Sequence, residues 1–333
     1  GRTCRGRWRF AAQGLVRFPG DRNVRQPRHI AAPAGYDPVV RVLIGVDVGT
    51  TGTKAVAAGA DASVLAASDV SYELHIPRAR HAELDPGDLQ RGTIEALRTV
   101  VRRLDGTGHQ VTGICLSAAM HGLLPFDKRN QPLGPVVTWA DTRADDEARR
   151  LRDQPSGRAL HARTGCPVHA SFLPAKLLWL GDVRPEAFRR ATWWGSFGEW
   201  LHRRLFARAD APASRSMASA SGLLDQTTGR WDDALLGLLG LDPGRLSPVG
   251  DLGDVSQGLA PEWARRWPAL ARVPWLPAVG DGAAGQIGSG CVSGDRLALN
   301  VGTSSALRVL VDGPVVPPPP GLFGYRLDGR QGV

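Results

Sequence analysis

The chain has 333 residues, of which 42% are apolar and 22% are charged, with a formal net charge of +9. This composition excludes disordered and collagen-like chains. No apolar run reaches the ~20 residues that a membrane-spanning helix needs, so we predict no membrane partner. The four cysteines lie far apart in sequence, which indicates neither a zinc site nor a dense disulfide framework and predicts a cytoplasmic protein.

The positive charge is concentrated at the start of the chain. Residues 1–41 contain nine Arg but only Asp21 and Asp37 as acidic residues, which gives them +7 and leaves +2 for the rest. An almost neutral body offers no basic surface to a polyanion, so we predict no nucleic-acid partner. Because residues 1–41 also lack helical or strand periodicity and any apolar segment of signal-peptide length, we predict a disordered leader.

A strand followed by a phosphate-binding turn is predicted after the leader. The run from Arg41 to Asp47 is rich in β-branched and aliphatic residues, which is typical of a buried strand. It leads into a turn whose backbone N–H groups and hydroxyls can surround a phosphate, although a Walker loop is excluded because a strand follows the lysine. Asp47, at the end of the strand, is predicted to hold Mg²⁺ through water. The predicted phosphate-binding residues of this turn are Gly49, Thr50, Thr51 and Lys54.

A second copy of this pattern lies near the other end of the chain. When Asn300 is aligned with Asp47, the two following turns align residue by residue. The predicted phosphate-binding residues of the second turn are Gly302, Thr303 and Ser304. Two strand–turn–strand units so far apart predict a duplicated fold in which each half presents one loop to a shared cleft.

Together these motifs resemble the FGGY carbohydrate kinases, which belong to the actin-like superfamily. The resemblance covers about residues 42–333 and implies an α/β, actin-like ATPase fold made of two ribonuclease H-like domains. It implies an N-terminal kinase domain over residues 42–278, with the sugar site and the first phosphate loop, and the start of a C-terminal domain over residues 279–333. Since the second domain of the family is comparable in size to the first, we expect a complete N-terminal domain, a truncated second domain and poor activity of these residues alone.

The resemblance also implies a sugar pocket in the middle of the chain. The family lines this pocket with a Met-His-Gly segment and a Trp-x-Asp-x-Arg segment, and it has a lysine nearby in a Lys-Leu-x-Trp segment. From the residues themselves, the alternation of Trp139, Asp141 and Arg143 predicts one shared face in an extended segment. An aromatic wall, a carboxylate and a guanidinium suit a polyhydroxylated substrate. The predicted substrate-binding residues are Met120, His121, Trp139, Asp141, Arg143 and Lys176.

Asp281 is the predicted catalytic base. The small residues that follow it allow a helix to start close to a ligand, although an aspartate at such a place is more often only a helix cap. The family has its catalytic aspartate in a matching Gly-Asp-x-x-Ala segment, just before the second phosphate loop. The resemblance therefore implies ATP and Mg²⁺ as cofactors, with Asp281 accepting the proton of a primary hydroxyl group.

The substrate prediction is gluconate, because the sugar-pocket segments look most like those of the gluconate kinases of the family. Its carboxylate needs a cation, and Arg143, Lys176 and His169 are the candidates. Xylulose or another ketose or polyol is the alternative substrate, and Ala170 and Ser171 depart from the bulkier residues common in relatives. A non-catalytic sugar-binding or interaction module is the alternative of another class. The predicted partner is a small sugar or sugar acid, with a homodimer as a candidate assembly.

Overall fold

The computed structural model describes residues 40–154, 157–301, 305–313 and 317–333, which all belong to one compact unit. The predicted leader lies outside the described residues except for its last two positions, and so does the predicted second phosphate turn, Gly302 to Ser304. None of the helices within these ranges is long and apolar enough to cross a membrane.

The described residues form an α/β structure in which short elements surround one larger sheet. Its strands are β1 (Arg41–Val48), β2 (Gly52–Gly59), β3 (Val64–Ser71), β4 (Glu83–Leu84), β5 (Gln110–Ala118), β6 (Leu124–Phe126), β7 (Val136–Val137), β8 (Trp193–Gly195), β9 (Ala213–Ser214), β10 (Leu224–Asp225), β11 (Arg230–Trp231), β12 (Val249–Gly250), β13 (Val279–Gly280), β14 (Leu297–Val301), β15 (Ser305–Val309), β16 (Val311–Asp312) and β17 (Gln331–Gly332). Its helices are α1 (Pro86–Leu104), α2 (Asp145–Asp153), α3 (Gly157–Thr164), α4 (Leu173–Val183), α5 (Pro185–Arg190), α6 (Phe197–Phe206), α7 (Arg215–Ala220), α8 (Asp233–Leu238), α9 (Pro261–Arg266) and α10 (Asp281–Gly288).

The central sheet has five strands in the order β13-β5-β1-β2-β3. Strands β1, β2 and β3 form an antiparallel meander, whereas β5 runs parallel to β1 and β13 runs parallel to β5. The carboxyl ends of β1, β5 and β13 therefore meet at one edge, which is where ligands bind in open α/β sheets. Because β13 pairs with β5, the sheet extends two residues past the predicted domain boundary at residue 278.

The core forms because strand alternation and helix periodicity bury one set of apolar side chains. Every second residue of β1 is buried, in agreement with the predicted strand. Helix α1 covers the sheet with its apolar stripe, and it begins cleanly because the Asp85 carboxylate accepts a hydrogen bond from the Asp88 N–H. Helix α6 packs on the same core and starts with a capping box between Ser196 and Glu199.

The segment from residue 135 to residue 143 differs from its prediction. Only Val136–Val137 is a strand, and residues 139 and 140 form a turn instead of continuing the extended segment. The physical reason is local pairing, because the Asp141 N–H bonds the Thr138 carbonyl and the Arg143 N–H bonds the Asp141 carboxylate. The prediction that Trp139, Asp141 and Arg143 share one face of an extended segment is therefore wrong.

The second hairpin has the predicted strands, with a shorter connection than the first. Strands β14 and β15 are antiparallel, and Asn300 pairs with Ala306, whereas Asp47 pairs with Lys54 in the first hairpin. The second connection is thus one residue shorter, so the residue-by-residue alignment of the two hairpins does not extend to their second strands. The outer face of the second hairpin is exposed, with Leu299 at 66% of its free surface.

Candidate active site

Hydrogen bonds within the turn and from two neighbouring side chains hold the first phosphate turn. The Gly49 N–H bonds the Gly52 carbonyl at 3.0 Å, and the Tyr72 hydroxyl donates to the Gly49 carbonyl at 2.7 Å. The Trp139 indole N–H donates to the Thr50 hydroxyl at 2.9 Å, which links this turn to the predicted sugar-binding segment. Thr51 and Lys54 remain exposed. The turn is therefore preorganised, with two of its polar side chains open to solvent.

Asp47 and Asp281 stand at the carboxyl ends of β1 and β13, on either side of β5. Asp47 is exposed, and the Ser117 hydroxyl of β5 donates to its Oδ1 at 2.9 Å. Asp281 is the first residue of α10, and Gly280 precedes it at the N-cap position. Its Oδ1 accepts hydrogen bonds from the Gly282 N–H at 2.9 Å and the Met120 N–H at 3.4 Å. Asp281 is therefore held by backbone groups rather than serving as the cap.

The surroundings of Asp281 raise the pKa of its carboxyl group. Desolvation is the largest cause, and the negative charge of Asp47 adds to it, whereas the N–H groups of Met120 and Gly282 and the cation of Arg308 act in the opposite direction. Solvent reaches this side chain, yet protein atoms crowd around it, so it is both accessible and poorly hydrated. A carboxylate of raised pKa in a cleft suits a general base.

Glycines allow this close packing around Asp281. A Cβ atom at Gly280 would lie 2.6 Å from the Met120 sulfur. At Gly282 it would lie 2.6 Å from the Tyr325 hydroxyl oxygen and 3.0 Å from the Arg308 Nε. Met120 itself is 7% exposed, so its side chain serves as packing beneath the base while its N–H holds the carboxylate.

A cavity lies between the first phosphate turn and the predicted sugar-pocket segments. Gly49, Thr50, Met120 and Trp139 are among its lining residues. Its volume is about 30 Å³, which is room for a few water molecules and less than a sugar needs. The cavity adjoins Met120, whose N–H holds Asp281, so it lies next to the candidate base.

His121 follows Met120 and has a left-handed backbone conformation with φ of 63°. Its ring packs against Phe172, with 4.5 Å between the ring centroids, and against Phe323 at 5.5 Å. Burial lowers the pKa of His121 to about 3, and the charge of Lys176 adds to this effect. The imidazole is therefore neutral at physiological pH and is not a cation for an anionic substrate.

Asp141 and Arg143 neutralise each other. Asp141 is 1% exposed and accepts a hydrogen bond from the Ala82 N–H at 2.7 Å. The Arg143 guanidinium bonds the Asp141 carboxylate and also the Glu83 carboxylate at 2.5 Å, and it lies over the Trp179 ring. The charge of Arg143 is therefore already balanced by two carboxylates. Sequence reasoning missed Glu83, because its partner lies 60 residues away.

Lys176 lies behind the cavity, with only 1% of its surface exposed. Its ammonium group donates to the carbonyls of His121 at 2.6 Å, Thr138 at 2.7 Å and Val137 at 3.4 Å. Burial lowers the pKa of Lys176 to about 7, with Asp141 acting against the shift and Arg143 adding to it. Lys176 thus joins the two predicted sugar-pocket segments through their backbones. His169, the remaining cation candidate, is in contact with the Ser171 hydroxyl at 3.1 Å.

Comparison with known proteins identifies the family. Residues 42–288 match the FGGY family of carbohydrate kinases, N-terminal domain. The chain belongs to this family. It is similar to the gluconokinase of Bacillus subtilis (strain 168), with 27% identity over 291 residues that cover 87% of this chain and 56% of the relative. It is also similar to the xylulose kinase of Escherichia coli (strain K12), with 27% identity over 276 residues that cover 82% of this chain and 55% of the relative.

A solved structure has the same fold. The gluconate kinase from Lactobacillus acidophilus superposes with a TM-score of 0.82 at 28% identity, over 88% of this chain and 58% of that chain. The predicted α/β, actin-like ATPase fold is thereby confirmed. The chain spans somewhat more than half the length of the relatives that it matches.

Proposed function

We propose that the protein transfers a phosphoryl group from ATP to a primary hydroxyl group of a sugar or sugar acid. The observation that carries this proposal is the position of Asp281, a carboxylate of raised pKa held by two backbone N–H groups at the sheet edge. The phosphate turn at Gly49 and Thr50 adjoins the same cavity as Met120. Membership of the FGGY family supports the same reaction class.

In the proposed reaction, the sugar hydroxyl oxygen forms a bond to the γ-phosphorus while the bond from that phosphorus to the bridging oxygen of ATP breaks. The hydroxyl proton passes to the Asp281 carboxylate, and ADP leaves with the electron pair. N–H groups and hydroxyls of the first phosphate turn stabilise the phosphate oxygens. Most of the rate comes from holding the hydroxyl in line with the phosphorus.

Asp47 fits the proposed role of a Mg²⁺ ligand through water. Mg²⁺ commonly binds through one or two carboxylates, several waters and substrate phosphates. Asp47 is exposed at the sheet edge, and among the described residues only Ser117 is seen to hydrogen-bond its carboxylate. No cluster of three or more His, Cys, Asp or Glu side chains suited to a metal occurs in the described ranges. The ion would neutralise charge on the phosphates.

Gluconate is the substrate that we propose first. Gluconokinases are among the similar proteins. One observation favours xylulose, a neutral ketose, as the second candidate: two of the three predicted cations are already engaged, Arg143 by carboxylates and Lys176 by carbonyls. A cytoplasmic location and a homodimer stay predictions.

The proposal is tested with a coupled assay of ADP release, using gluconate, xylulose and glycerol as acceptors. We expect ATP-dependent turnover, low in these 333 residues alone, that Asp281→Asn abolishes, with sugar binding measured by calorimetry unchanged. Asp233→Asn is the matched control, because Asp233 is also the first residue of a helix and is exposed. Turnover that survives Asp281→Asn contradicts the role of the base, preference for xylulose refutes gluconate, and sugar binding without any transfer supports the non-catalytic alternative.

A further inference from the structure

Arg308 extends from the second hairpin towards the candidate base. It lies on β15 opposite Ala298 of β14, which is 3% exposed and marks the inner face of the hairpin. The inner face packs on the glycine side of α10, because the Arg308 Nε would lie 3.0 Å from a Cβ atom at Gly282. Gly282 directly follows Asp281, so the Arg308 side chain contacts the residue next to the base.

Arg308 has no carboxylate partner within ion-pair distance among the described residues, in contrast to Arg143. Its charge nevertheless reaches Asp281, where it acts to lower the pKa of the carboxyl group. An unpaired guanidinium is a strong binder of anions, because its planar fork matches the oxygens of a phosphate or carboxylate. It lies four residues beyond the predicted second phosphate turn.

Tyr325 provides a second, independent indication of a ligand at this place. Its side chain is 2% exposed, and its hydroxyl finds no hydrogen-bond partner of good geometry in the part of the chain that the structure describes, although Arg308 lies beside it. The hydroxyl oxygen would lie 2.6 Å from a Cβ atom at Gly282, so it shares the space above Gly282 with Arg308. A buried hydroxyl without a partner of good geometry is unfavourable, and a bound anion would supply the missing acceptor.

The position of this pair decides which anion it suits. Asp281 accepts the proton of the hydroxyl that becomes phosphorylated, so the new phosphoryl group forms within reach of groups beside Asp281. The carboxylate of a six-carbon sugar acid lies at the opposite end of the substrate. A phosphoryl group therefore fits this place better than a sugar-acid carboxylate does.

We propose that Arg308, with the Tyr325 hydroxyl beside it, binds the phosphoryl group as it is transferred to the sugar. This inference rests on the proposed function. Arg308 donates to the equatorial oxygens of the phosphoryl group while Asp281 takes the hydroxyl proton, so one side chain serves the transferred group and the other the attacking oxygen. The pair also gives the phosphorylated product a contact that the free sugar lacks.

The test is calorimetry on the full chain with three probes: inorganic phosphate, gluconate and 6-phosphogluconate. We expect Arg308→Gln to weaken the binding of phosphate and 6-phosphogluconate by roughly tenfold to a hundredfold and to leave gluconate binding unchanged. Arg308→Lys should keep part of the affinity, and Tyr325→Phe should cause a smaller loss in the same direction. Arg296→Gln is the matched control, because Arg296 is an exposed arginine just before β14.

Each result separates this inference from the proposed function. The inference is overturned when Arg308→Gln leaves phosphate affinity unchanged, when it weakens gluconate as much as 6-phosphogluconate, or when the wild type binds neither phosphate nor 6-phosphogluconate. Phosphate binding that depends on Arg308 without any binding of gluconate or xylulose supports the anion site and contradicts the proposed sugar kinase. Circular dichroism and thermal unfolding confirm that each variant is folded.

Discussion

At the scale of single residues, the buried charges near the candidate site differ in whether they have partners. Arg143 is balanced by Asp141 and Glu83, and Lys176 by backbone carbonyls, so neither is free to meet an anionic substrate. Asp281 differs, because desolvation and Asp47 both oppose its ionisation. The chemistry of the site is therefore expected to follow the protonation of this one carboxyl group.

The pH dependence of turnover tests this assignment. A base acts only when deprotonated, and the pKa of Asp281 is raised above the ordinary value of 3.8. We therefore expect the acid limb of the kcat/KM profile to have its midpoint above that value. The Arg308 cation lowers the pKa of Asp281, whereas desolvation and Asp47 raise it. Arg308→Gln should therefore move the midpoint to a higher pH. A midpoint at or below the ordinary value contradicts Asp281 as the base.

At the scale of elements, the sequence predicts what is local and misses what depends on distant partners. The apolar residues that predict β1 lie close together in the run from Arg41 to Asp47, so the first strand could be predicted. The turn at Trp139 could not, because Arg143 folds back towards Glu83, a residue without any sequence signal. Arg308 and Tyr325 were missed because both occupy the space left by the missing side chain of Gly282, which no sequence pattern predicts.

Helix α10 offers a prediction of its own. In Gly282→Ala, the new Cβ atom would lie 2.6 Å from the Tyr325 hydroxyl oxygen and 2.9 Å from the Met120 Cε. We expect a loss of about 1–3 kcal/mol in the free energy of unfolding, together with weaker phosphate binding. Gly288→Ala is the control, because its Cβ atom meets nothing within 4 Å and alanine favours a helix. Equal stability of the two variants in urea unfolding contradicts the close packing around Asp281.

At the scale of the whole molecule, burial is unevenly distributed. The large sheet and its helices enclose a continuous core, in which Ile44 is fully buried. The second hairpin instead exposes the apolar side chains of its outer face, including Leu297, Leu299 and Leu307. Stability of the described residues should therefore depend mainly on the sheet that carries Asp47, and little on that outer face.

Two matched truncations test this distribution. Ile44→Ala, in β1, should lower the free energy of unfolding by about 2–5 kcal/mol, because it leaves a cavity in the core. Leu299→Ala, in β14, should change it by no more than about 0.5 kcal/mol, since Leu299 is 66% exposed. Both values come from urea unfolding of the full chain. A large loss in Leu299→Ala would show that its outer face is covered.

The order of the strands also sets the distance between Asp47 and Asp281. Asp47 pairs with Ser117, and Ser117 pairs with Val279, two residues before Asp281. With one strand between them, the two aspartate-bearing strands are about 10 Å apart. A hydroxyl group and the phosphoryl group that it attacks both fit between the base on one strand and the candidate metal ligand on the other. Sugars of different length are therefore expected to present the same terminal hydroxyl here, and to be told apart only farther out, near His121 and Trp139.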